Sequence, residues 1–182
     1  MTTPLRTALD LCGSLSLVGC VAILDAVVQR AYVADVPNLA AEVGRRRPFR
    51  GVRRIDAALE HVTGRAESAL ESLSLVRFAE LGFPTPRQQV EFVTEGIVDR
   101  VDFYWPDFRI IGESDGDLKY DDENDPQRIA LRREKRREDR LRSRVRGFAR
   151  WGWHDAWHPR VLEQRLLASG LPRERVGVPK TR

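Results

Sequence analysis

Three carboxylates lie close together in the middle of this 182-residue chain: Asp102, Glu113 and Asp115. They fall within VDFYWPDFRIIGESDGDLKY, residues 101–120, on two apolar runs that flank a Trp105-Pro106-Asp107 turn. Strands disfavour Asp, and a buried charge must be paired or bound to a metal ion. Acids in such runs therefore need a reason, and the chemistry that fits is a metal-binding hairpin of nuclease type. Residues two apart on a strand project to one side, so Glu113 and Asp115 can converge on one ion. A hairpin turning at Pro106 brings Asp102 alongside residues 111–113. The same alternation places Val101 and Phe103 on one face and Arg100, Asp102 and Tyr104 on the other.

The charge distribution supports a polyanionic substrate. The formal charge is only +4, with 32% charged residues. Yet residues 112–125 hold seven acids against Lys119 alone, and residues 128–150 hold eleven basic residues against Glu134, Glu138 and Asp139. An acidic site beside a basic face suits a phosphodiester backbone, because cations hold the polyanion and carboxylates hold the metal. The competing reading is an acidic loop and a solvated basic helix that neutralise one another.

The surrounding elements must position these groups. Helices are expected over 4–12 and 15–30, broken at Gly13-Ser14 with Ser14 as the cap, the second apolar nearly all round and hence buried. A helical turn over 37–43, a basic Gly/Pro loop over 44–54 and a short helix over 55–62 follow. Ser68 and Glu71 form a capping box that opens a helix to about Leu81, and Glu71 needs no catalytic role there; the functional reading turns it toward the hairpin. Strands are expected over 89–93, 97–105 and 108–114. Asn124 or Asp125 as cap, with Pro126 in the first turn, starts an arginine-rich helix over 127–144. It is the crossover to a parallel strand over 147–153, and a last helix covers 159–169. The division expected is a helical segment 1–62, a core 65–170 and a basic tail 171–182.

Other features carry less. Cys12 and Cys20 make no disulfide framework and are expected to be reduced cytosolic thiols. Leu17-Val18-Gly19-Cys20 imitates a lipoprotein cleavage box, but Asp10 and Asp25 interrupt the apolar run, which is too short to span a bilayer. A cytoplasmic protein without membrane insertion is the expectation. His154 and His158 stand four apart, but His158 precedes Pro159 in a segment between a strand and a helix, and they are not read as ligands. Trp151, Trp153 and Trp157 are read as core and interface aromatics.

Taken together, Ser68-Ala69-Leu70-Glu71-Ser72, Pro84-Thr85-Pro86, Gln89, RVDFYW, IIGESDGDLKY, EKRREDRLR and ARWGWHDAW resemble a family of largely actinobacterial proteins. The C-terminal half of that family is similar to very-short-patch-repair endonucleases of the PD-(D/E)xK restriction-endonuclease-like superfamily. The resemblance is dense over 65–157, and Arg6–Asp10 and Leu24-Asp25 resemble the family's linker. Longer members often begin with a winged helix related to AbiEi antitoxins, so this chain looks like a shortened member or a truncated reading frame. The fold implied is α/β with a restriction-endonuclease-like core: helix, antiparallel strand meander, crossover helix, parallel strand.

The resemblance implies Asp102 and Glu113 as ligands of Mg2+ or Mn2+, and Glu71 as the acid of the first core helix. Asp115 stands where the superfamily has its lysine; Lys119 from the following loop and Gln89 from the first strand are the weaker candidates to compensate. Val145 replaces a glycine that ends the crossover helix, and Gly147 is expected to take over that role. Arg132, Arg133, Lys135, Arg136 and Arg140 are expected to hold the DNA backbone without reading sequence. The activity implied is metal-dependent endonucleolytic cleavage of DNA in defence or repair. The alternative is a non-catalytic DNA-binding regulator or antitoxin-type component that keeps the nuclease fold.

Overall fold

The computed structural model describes residues 2–115 and 125–174, with the side chains of 125–131 excepted. Lys119, most of the acidic loop and the end of the basic tail lie outside the described residues. The chain divides into two compact units, residues 1–77 and 78–182. Val76 is buried with the helices of the first unit.

The first unit is helical. Helices α1 (Pro4–Cys12), α2 (Leu17–Gln29), α3 (Val36–Arg45), α4 (Val52–Leu59) and, through Val76, α5 (Ala69–Glu80) bury one core that includes Leu9, Val21, Leu24, Leu39, Val43 and Ile55. Side-chain oxygens of Thr3, Ser16 and Asp35 cap α1, α2 and α3, satisfying amides that have no intrahelical partner. Ser16 therefore caps α2 in place of Ser14, whose hydroxyl turns back to donate to the Leu11 carbonyl at 3.0 Å. The basic stretch 44–54 is largely engaged within the unit: Arg46 pairs with Glu42, Arg47 with Asp56, and Arg54 donates to the Gly13 carbonyl at 3.3 Å.

The second unit is built on a four-stranded mixed sheet in the order β1-β2-β3-β4, with β1 (Arg87–Thr94), β2 (Ile97–Trp105), β3 (Ile110–Ser114) and β4 (Gly147–Trp151). The first three strands are antiparallel, and α6 (Asp125–Arg142) leads to β4 parallel to β3. This is mixed α/β architecture with the expected order of elements. Phe78 of α5 meets Phe103, Trp105 and Trp151 edge-on at 5.2, 5.2 and 5.6 Å. Gly112 is the bare backbone beneath that cluster: a Cβ there would lie 2.6 Å from Trp151 and 2.9 Å from Trp105. A second cluster joins Val101 and Ile111 to Leu141 of α6.

Val101 and Phe103 thus enter different clusters, where strict alternation had placed them together. The phase of β2 changes at Asp102. In the β1–β2 ladder Gln88 pairs with Phe103 and Val90 with Val101, while Gln89 and Asp102 are passed over, and Gln89 adopts a left-handed φ of 53°. Such a local irregularity re-aims one side chain out of the pleat.

The remaining differences lie beyond the sheet. β4 stops at Trp151, and Trp153–Trp157 forms a short helix α7 ahead of α8 (Pro159–Ala168). Trp151 is core, whereas Trp153 and Trp157 are exposed. Gly147 does not end α6, which stops at Arg142; a Cβ at Gly147 would lie 2.0 Å from the Ser169 carbonyl oxygen. Close backbone approach requires glycine there. No helix among the described residues is long and apolar enough to cross a membrane.

Candidate functional site

Asp102, Glu113 and Asp115 stand at one end of the β2–β3 pair, joined by arginines from α6 and β4. The β2–β3 register pairs Phe103 with Gly112, so one step further along it Asp102 faces Glu113. Asp102 Oδ2 accepts two hydrogen bonds from Ser114, from its amide and its hydroxyl, each at 2.8 Å. The carboxylate thereby continues the pairing of β2 with β3 where the backbone ladder ends. Burial pushes its pKa up, the Ser114 bonds oppose this, and the Glu113 charge adds to the rise.

Glu113 is the buried centre, only 3% exposed. Parallel pairing sets it beside Arg150 of β4. Arg137 donates to Glu113 Oε1 at 2.5 Å, and Arg150 to Oε2 at 2.7 Å. Arg150 also meets Glu134 Oε1 at 2.9 Å and Glu138 Oε2 at 3.7 Å. Its Nε lies 2.9 Å from Asp115 Oδ2, an ion-pair distance, yet is buried without an aligned hydrogen bond. Burial works against the charge of Arg150, but Glu113 and Asp115 outweigh it and raise its pKa above the ordinary arginine value. Burial likewise lifts the Asp115 carboxyl, with Arg150 opposing.

A neighbouring pair completes the α6 contact. Arg140 binds Asp99 through two hydrogen bonds, at 2.8 and 2.7 Å, and holds that carboxyl below its usual value despite burial. Arg140, expected to touch DNA, is therefore engaged in holding α6 to β2. Arg132, Arg133, Lys135 and Arg136 lie on the exposed side of α6. Helical periodicity separates these outward residues from inward Glu134, Arg137, Glu138 and Leu141.

Glu71 belongs to the first unit. Its amide donates to Ser68 Oγ at 3.1 Å and its carboxylate accepts from the Glu67 amide at 3.0 Å, a reciprocal cap at the start of α5. Gln89 supplies the left-handed residue of β1 opposite Asp102. Arg137 and Arg150 were missed in the sequence, where they stood among eleven basic residues with nothing to mark them. The parallel strand–helix–strand order was the available signal, since it sets a β4 side chain beside Glu113.

The donors are all carboxylate oxygens, which suit a hard divalent cation in kind. Their arrangement does not: Glu113 and Asp115 are held by guanidiniums, and among the described residues no three His, Cys, Asp or Glu side chains form a group able to hold a metal ion.

No family model and no solved structure matches this chain. It is 34% identical over 115 residues to uncharacterized proteins from two strains of Mycobacterium tuberculosis. The match covers 62% of this chain and 41% of those proteins, so it spans less than half of their length.

Proposed function

We propose that the protein acts on the phosphodiester backbone of DNA as a metal-dependent endonuclease of restriction-endonuclease-like type. The observation that carries this reading is the nearness of Asp102, Glu113 and Asp115 at one end of the β2–β3 pair, where their charges act on one another. The element order around that hairpin, three antiparallel strands followed by α6 and a parallel strand, supports the reading. Exposed Arg132, Arg133, Lys135 and Arg136 on α6 supply phosphate contacts that are independent of base sequence. The resemblance implies Mg2+ or Mn2+ at Asp102 and Glu113, whereas both Glu113 oxygens are held by Arg137 and Arg150. Incubation of supercoiled plasmid with the protein and Mg2+ or Mn2+ tests this. Wild type should nick or linearise the plasmid, and Asp102→Ala should slow cleavage by roughly a hundredfold or more. Equal inertness of both proteins, without metal binding, refutes the enzyme reading.

The second reading is a non-catalytic DNA-binding protein of regulator or antitoxin type. It is favoured by the saturation of Glu113 with two guanidiniums and by Asp115 at the lysine position. Salt-dependent DNA binding that survives Asp102→Ala, with no cleavage by either protein, supports it.

A further inference from the structure

We propose that the exposed face of α7 stacks unpaired nucleic-acid bases. DNA with a single-stranded stretch is then the class of substrate brought to this end of the sheet. The inference rests on the DNA reading of the second unit and names the form of DNA it takes.

Three observations carry it. First, α7 displays two large indoles. Trp153 and Trp157 are 40% and 56% exposed, whereas Trp105 and Trp151 are each 1% exposed. Among the described residues, neither exposed indole has a hydrogen bond or a ring partner. Residues four apart on a helix lie on one side, so the two indoles share a face. The same spacing one residue on sets the exposed rings of His154 and His158 4.4 Å apart between centroids. Second, the charge of this face suits a polyanion. Asp155 is the one acid in residues 152–162, and it is neutralised by Arg165 at 2.8 Å and accepts from the Gly152 amide at 3.4 Å. Arg160 is exposed and has no ion-pair partner among the described residues. Flat rings beside an uncommitted guanidinium match a strand of bases and phosphates, whereas an apolar peptide offers Arg160 nothing. Third, the face stands at the right end of the sheet. The Asp115 amide donates to the Trp151 carbonyl at 3.0 Å, so β3 and β4 end together, and α7 begins two residues later. The chain therefore enters α7 at the end of the sheet that carries Asp102, Glu113 and Asp115. The exposed cations of α6 stand in the turn before Arg137, which reaches Glu113.

The form of DNA follows from the chemistry of stacking. In a duplex both faces of a base are covered by its neighbours, so an indole must first unstack them. An overhang, gap or flap presents open faces, and an aromatic side chain accepts any of the bases. The phosphates of that strand are then held without reference to sequence. Selection is by lack of pairing.

Tryptophan emission of the full chain tests the platform, in titrations with a thymidine homo-oligonucleotide about 16 nucleotides long and a chelator present. Trp105 and Trp151 are buried, so quenching reports Trp153 and Trp157. The oligonucleotide should quench wild type and leave the emission of the Trp153→Ala/Trp157→Ala variant unchanged. Anisotropy of a labelled oligonucleotide should show each single Ala variant binding about tenfold more weakly than wild type. Trp153→Phe/Trp157→Phe keeps the aromatic faces and should retain most of the affinity. Binding to a matched duplex should be left as it is by the Ala substitutions. Emission that does not change at saturation, oligonucleotide affinity that survives both Ala substitutions, or an equal loss of duplex binding overturns the proposal. A wild-type dimer that these substitutions dissociate, with oligonucleotide affinity unchanged, gives the face to a second copy and overturns it as well. If wild type cleaves plasmid while the indoles leave oligonucleotide affinity untouched, the platform fails and the nuclease reading stands. If single-strand binding depends on the indoles and wild type cleaves nothing with Mg2+ or Mn2+, the platform stands and the nuclease reading fails.

Discussion

Asp25 and Glu113 are both buried carboxylates, satisfied by different kinds of donor. Asp25 accepts from the amides of Thr63 and Gly64 at 2.9 and 2.7 Å and from the Ser72 hydroxyl at 2.8 Å. Burial raises its pKa from the ordinary 3.8, and these neutral donors only partly oppose the rise. The folded protein therefore takes up this proton before the unfolded chain does as pH falls. The contribution of Asp25 to stability decreases as pH rises from 3.8 through the raised value, then levels off. Asp25→Asn keeps an oxygen for the two amides and should flatten that slope, gaining on wild type from pH 4 to 7 in urea denaturation. Asp25→Ala strands the amides instead and should cost about 1–3 kcal/mol. Glu113→Ala leaves Arg137 and Arg150 without their shared acceptor. Both arginines are partly exposed and keep Glu134, so the expected loss is about 1–3 kcal/mol, below that of a fully buried pair.

At the level of elements, α6 performs two tasks on opposite sides. Its inward side fastens the sheet through Arg137–Glu113 and Arg140–Asp99, and its outward side presents Arg132, Arg133, Lys135 and Arg136. If the proposed function holds, replacing two of the outward residues by Ala should weaken duplex DNA binding. The salt slope, measured by fluorescence anisotropy, should fall by about 0.9 for each phosphate that is no longer neutralised. β3 depends on the absence of a side chain. Gly112→Ala would push a methyl group into the rings of Trp105 and Trp151, and the displaced indoles should cost about 1–3 kcal/mol, with a changed near-ultraviolet dichroism signal. The strands and the crossover could be read from apolar runs, turn residues and charge blocks. The phase change at Asp102 could not, because strand periodicity assumes an unbroken pleat and the left-handed backbone of Gln89 has no mark in its residue type. Arg137 and Arg150 were hidden for a related reason: a basic run shows how many cations are present, and only the closed sheet shows which of them face the acids.

Across the whole molecule, the two units draw on one helix. Val76 of α5 is buried in the first core, and Phe78, two residues on, is buried in the second. All four tryptophans, Trp105, Trp151, Trp153 and Trp157, lie in residues 78–182, so their fluorescence reports the second unit alone. Leu24→Ala, at a fully buried position of the first core, should cost about 2–5 kcal/mol. The far-ultraviolet dichroism midpoint, to which the helical first unit contributes, should fall. A fluorescence midpoint that stays put would show that the units unfold separately.

The parallel pairing of Glu113 with Arg150 also has a consequence for biosynthesis. Translation delivers Asp102, Glu113 and Asp115 before Arg137 and Arg150, so the nascent hairpin carries its acids with no guanidinium partner yet made. Hydration of those charges opposes premature burial of Glu113. The hairpin can close early on local contacts, but its charged end seals only when α6 and β4 arrive from more than twenty residues downstream. The partners of Glu113 are thus among the latest parts of the sheet that translation supplies.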